Sequence, residues 1–195
     1  MVPSADAGIM LFVRNKAPAG MKAFSAEKTV LFVHGATYPS ETTFDLNLGG
    51  QSWMDYIASR GYDVWLVDVR GYGRSSKTTA LSQPASANPP FANIEDAARD
   101  VSAVVDLIFK KRGIAKLNLI GWSWGTTTMA LYTTRNNARV GKLVLYAPVW
   151  TPPTTIKAPP APTTAYRAVT RDAAKQLVCR CAGEQAGRAD PGHLV

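Results

Sequence analysis

Histidine and cysteine are almost missing from this sequence, with two of each in 195 residues. Cys179 and Cys181 stand one residue apart, too close to staple a small fold and too few for a four-ligand zinc cage. A disulfide framework and a metal site are therefore excluded, and no cofactor is implied. Long apolar runs are missing as well. Ile9 to Val13 is short and has no basic residues ahead of it, unlike a secretory leader, and no stretch approaches a membrane span. These absences predict a soluble, cytoplasmic protein without a membrane partner. Acids are scarce beside bases: 14 Asp and Glu against 22 Lys and Arg leave a net charge of +8 and a pI near 9.7. The bases are scattered, without the dense stripe or interleaved aromatics of a nucleic-acid groove. No nucleic-acid partner is expected.

The chain is 46% hydrophobic and 18% charged, the composition of a globular domain, and long enough for one good core with a fragment besides. Gly8 to Val13 reads as an early strand, followed by a turn from Asn15 to Gly20 through Pro18. Thr29 to Val33 and Asp63 to Val67 are strongly β-prone, and a helix is expected between them over Gln51 to Arg60. Ser82 to Pro90 is a Pro/Ala/Ser loop. Asn93 then caps a long helix: Ile94, Ala97, Ala98, Val101, Val104, Val105 and Ile108 recur at helical spacing, and Lys110, Lys111 and Arg112 close it before Gly113. Lys116 to Ile120 and Lys142 to Tyr146 are further strands of buried type. Strands alternating with helices predict an α/β fold, a mostly parallel, doubly wound sheet with its ligand crevice at the carboxyl ends of the strands.

Gly121-Trp122-Ser123-Trp124-Gly125 joins one of these strands to a helix. A serine lifted above the sheet needs a turn too tight for side chains two residues either way, which glycine at Gly121 and Gly125 supplies. Ser123 then sits at the positive end of a helix, where developing negative charge is stabilised. An acyl-transfer site needs two amide donors; the residues assigned are Trp124, after the nucleophile, and Ala36, in the turn after Val33, with Thr37 as second choice. His34 is read as bracing that turn, Gly35 as permitting it, and Asp68 with Arg70 as tying down a neighbouring loop floor. A dinucleotide reading of Gly71-Tyr72-Gly73 fails at Ser76, where a third glycine is required, and Thr126 stands where a phosphate-binding loop needs lysine.

Val-His-Gly at Val33 to Gly35, Asp-x-Arg-Gly-x-Gly-x-Ser at Asp68 to Ser75 and Gly-x-Ser-x-Gly at Gly121 to Gly125 together resemble the α/β-hydrolase fold family, over Ile9 to Pro148. The resemblance implies a serine hydrolase or esterase acting on a small acyl compound, with Ser123 as nucleophile and Ala36 and Trp124 as the oxyanion donors. It also implies an acid and then a histidine downstream of Ser123. The acids there are Asp172, Glu184 and Asp190, and the one histidine is His193. The strands that should carry them cannot be found after Trp150. The expected organisation is a core over residues 1–150, a Pro/Thr-rich connector over 151–165 and a partial lid or tail over 166–195, with a helix from Tyr166 to Val178. The chain is thus expected to stop inside the lid, truncated after its sixth core strand, leaving the edge beside Leu143 to Tyr146 open. Activity would then be small, and a non-catalytic remnant or binding module is the competing reading.

Overall fold

Thr29–Val33 (β3) and Asp63–Asp68 (β4) are buried at every residue, as strands must be when both faces of their sheet are covered. The computed structural model describes residues 1–149 and 163–176 and places these two strands at the centre of a six-stranded sheet. Its order is β1-β2-β4-β3-β5-β6, with β1 at Val2–Pro3, β2 at Met10–Lys16, β5 at Leu117–Trp122 and β6 at Val140–Tyr146. β4, β3, β5 and β6 run parallel, while β1 and β2 are antiparallel. The sheet is therefore mostly parallel, as the alternation of strands and helices predicts.

The early strand lies two residues later than expected and continues through Lys16. The added residues include two cations, Arg14 and Lys16. In the fold the charges have partners: Arg14 and Lys16 reach Asp45 at 2.6 and 2.5 Å, and Lys16 also reaches Asp55 at 2.5 Å.

Side chains alternate across the central strands and feed two cores. Leu31, Val33, Trp65 and Val67 pack with Ile94–Arg112 (α3) and Trp124–Arg135 (α4). Val30, Phe32, Val64 and Leu66 pack with Ser40–Phe44 (α1) and Trp53–Ala58 (α2). Helices on both faces make the sheet doubly wound. α3 begins at Asn93, whose side chain accepts from the Glu95 and Asp96 amides, and ends at Gly113 with φ 65°, a conformation that costs glycine little. On the α2 face the cover is partial. Val144 and Tyr146 are 48% and 54% exposed, and among the described residues β6 pairs with β5 alone. No described helix is long and apolar enough to cross a membrane.

The chain divides into one unit over Met1–Ala165 and a second over Tyr166–Val195. In the second, residues 171–176 are helical, and the Thr170 hydroxyl accepts from the Ala173 amide at 3.2 Å. The helix expected from Tyr166 starts only there, because a Thr cap fixes the first turn; Val178 lies outside the described residues.

α2 opens with a reciprocal box: Ser52 accepts from the Asp55 amide and Asp55 accepts from the Ser52 amide. Hydrogen bonds from Lys16 and Ser52 hold the Asp55 carboxyl at about 2, down from 3.8. A depressed carboxylate stabilises the fold above its unfolded value, and that contribution fades as pH falls towards 2. Asp55→Asn should therefore lower the urea midpoint at pH 6 and lower it less at pH 3. A gap that does not change with pH refutes the assignment.

Candidate active site

Val33, Val67 and Gly121 lie in register across β3, β4 and β5, and Trp122 pairs with Tyr146 on β6. Four loops therefore leave the sheet at one edge. Ser123 is the first residue past β5 and adopts φ 52°, ψ −120°, a region that costs a non-glycine residue about 1–3 kcal/mol. Its amide donates to the Tyr146 carbonyl at 3.0 Å, and its side chain caps none of the α4 amides. The strained turn is possible because the flanking positions lack side chains. A β-carbon on Gly121 would lie 2.7 Å from the Gly125 carbonyl carbon, and one on Gly125 would lie 2.5 Å from the carbonyl oxygens of both Val33 and His34.

Gly35 brings the loop after β3 against the same serine: a β-carbon there would stand 3.0 Å from the Ser123 β-carbon. Ala36 follows and is exposed. Beneath them His34 is fully buried. Its Nδ1–H donates to the Gly35 carbonyl at 2.6 Å, and its Nε2 accepts the Val69 amide at 3.2 Å. Burial pushes the imidazole below its ordinary pKa, outweighing the opposite pull of the Gly35 carbonyl and Asp68. Both ring nitrogens are occupied and the ring is neutral, so His34 is not placed to take a proton from Ser123.

The loop after β4 is fixed from below. Asp68 accepts the Ser40 amide at 2.7 Å and the Arg74 amide at 3.2 Å, and its backbone carbonyl accepts the Ser75 hydroxyl at 2.5 Å. Arg70 forks onto Asp100 at 2.7 and 3.0 Å and reaches Asp6 at 2.6 Å. Hydrogen bonds donated to Asp100 raise the Arg70 pKa further, against the cost of burial, so this side chain is tied up inside the fold.

The structure brings together Ser123, Trp124, Gly121, Gly125, His34, Gly35, Ala36 and Asp68. His193, Asp190 and Glu184 lie outside the described residues, and Asp172 lies in the second unit, exposed on its short helix. Three further residues, given no role by the sequence, lie by this turn or its neighbouring loops. Tyr72 donates to the Ala36 carbonyl at 2.9 Å. Thr126 donates to the Ser123 carbonyl at 2.5 Å and accepts the Val149 amide at 3.1 Å. Ala147 sits at φ 47° where β6 ends. Asp100, the buried partner of Arg70, was masked by the apolar stripe of α3. Among the described residues, no three His, Cys, Asp or Glu side chains gather as a metal site would require.

A family model for the alpha/beta hydrolase fold matches residues 28–177. The chain belongs to that family. Among curated α/β-hydrolase relatives, human gastric triacylglycerol lipase is 32% identical over 115 residues, 58% of this chain and 29% of the lipase. Mouse lipase member K is 30% identical over 158 residues, 81% of this chain and 39% of its own length. The chain thus spans less than two-fifths of either relative. Among solved structures, a Thermogutta terrifontis esterase superposes with TM-score 0.56 at 18% identity, over 98% of this chain and 54% of the esterase. The Vigna radiata epoxide hydrolase VrEH1 gives 0.53 at 19% identity, over 78% and 41%. At such identities the structures share the α/β-hydrolase fold.

Two outcomes follow from this geometry. Alanine favours a helix over glycine by about 1 kcal/mol, yet Gly125→Ala should cost about 3 kcal/mol or more in chemical denaturation, because two carbonyls block the β-carbon. Gly20→Ala, with φ 76° and open space around it, should cost about 1–2 kcal/mol. In proton NMR, one of the two imidazoles, absent from a His34→Gln spectrum, should show no titration between pH 8 and 6. A His34 ring that titrates near 6.5 overturns the buried, doubly bonded assignment.

Proposed function

We propose that this chain is a serine hydrolase core that cleaves a small-molecule ester through an acyl-enzyme on Ser123. The observation that carries the reading is the backbone of Ser123 at φ 52°, with the Gly35 backbone in contact beside it and the first turn of α4 behind it. In the proposed reaction the Ser123 hydroxyl oxygen attacks the ester carbonyl carbon while its proton passes to a base. The amides of Ala36 and Trp124 hold the resulting oxyanion. Collapse expels the alcohol, which takes up the proton, and water then cleaves the acyl-enzyme by the same steps. The lipase names of the curated relatives favour an apolar acyl group. No cofactor, metal or nucleic acid enters the scheme.

The base is the open half of the proposal. His34 is engaged at both nitrogens, which leaves His193 as the one other imidazole in the sequence. With His193 as base, His193→Gln should slow labelling of Ser123 by a fluorophosphonate about a hundredfold or more. An unchanged rate removes His193 from the mechanism. Labelling of the wild type, abolished by Ser123→Ala, is the expected result. A folded wild type that takes no label favours the competing reading, a binding module that keeps the fold without turnover.

A further inference from the structure

We propose that Tyr72 is a positioning residue that sets the two amide donors against Ser123; this rests on Ser123 being the nucleophile. In a planar peptide the carbonyl and N–H point in opposite directions, so that fixing one fixes the other. The Ala36 N–H belongs to the peptide whose carbonyl is Gly35's, and that carbonyl accepts from His34 at 2.6 Å. The next peptide, Ala36 to Thr37, has its carbonyl held by the Tyr72 hydroxyl at 2.9 Å. Two successive peptide planes are thus pinned from two different loops, one by His34 at the start of the loop itself and one by Tyr72 in the loop after β4. Between them lies the Ala36 Cα, whose two backbone torsions relate the pinned planes.

The same phenol also reaches the second donor. The Tyr72 ring lies 4.4 Å from the His34 ring, and 6.4 Å from the Trp124 ring in a stacked arrangement at 24°. Trp124 carries the other amide, and its backbone starts α4 immediately after Ser123. One side chain therefore touches the histidine that orients the first amide, the carbonyl beyond that amide, and the residue that supplies the second. Its own loop is rigid: the Tyr72 amide donates to Val69 at 3.1 Å, and its carbonyl accepts from the Ser75 amide at 2.9 Å.

Tyr72→Phe keeps the ring contacts and removes the hydroxyl, so it separates positioning from packing. In the full chain the maximal rate of fluorophosphonate labelling at Ser123 should fall about tenfold, while the probe concentration giving half that rate and the melting temperature stay unchanged. Amide hydrogen exchange at residues 36 and 37 should quicken by about the same factor, with exchange in α3 unaltered. Unchanged labelling together with unchanged exchange overturns the proposal, as does a loss confined to half-saturation. If the wild type takes no label, the hydrolase reading fails on its own. Exchange then decides the rest, since slow exchange in Tyr72→Phe shows that the hydroxyl holds nothing.

Discussion

Between the carbonyls of Val33 and His34 and the first turn of α4 there is room for a glycine and for nothing larger. That contact sets how closely the helix after β5 approaches the end of β3, and so where Ser123 comes to rest. Gly121 does the same on the other side of the turn, and Gly35 lets the neighbouring loop close over the serine. Three absent β-carbons, contributed by two strand ends and a helix, therefore fix one hydroxyl-bearing residue in a conformation it would not adopt alone. The sheet beneath supplies the force to hold it, since β3 and β4 are buried on every residue and cannot yield to relieve the strain.

How much of this is legible in the sequence depends on whether a feature is local. The central strands announce themselves by unbroken apolar runs, and α3 by its stripe, its Asn93 cap and Gly113. The serine turn is legible because its steric demand falls on its own neighbours, two residues away. Long-range features are not. Nothing in Arg14 or Lys16 foretells that three carboxylates wait across the α1–α2 segment, so a strand that in fact continues through Lys16 reads as ending at Val13. Asp100 hides among the apolar residues of α3 because its partner, Arg70, is 30 positions away. Tyr72 stands at an unspecified place in a recognisable motif, and its hydrogen bond reaches a loop 36 residues back.

The polar groups under the cleft divide by burial. Asp68 and Arg70 are enclosed, and each spends its hydrogen-bonding capacity on backbone amides or on a carboxylate, which is what buried charge requires. His34 is enclosed too, and stays neutral. Ala36, in the loop above, is exposed and carries no polar side chain. The enclosed charges thus act as fasteners for the loops above them.

The Ser123 amide is bonded to the Tyr146 carbonyl at 3.0 Å, so the outermost rung of the β5–β6 ladder is attached to the strained residue of the turn after β5. β6 has its partner on one side alone among the described residues, and edge strands fray before central ones do. The placement of the serine is thereby coupled to the tightness of the sheet margin: whatever clamps that margin steadies the hydroxyl, and whatever loosens it lets the hydroxyl drift.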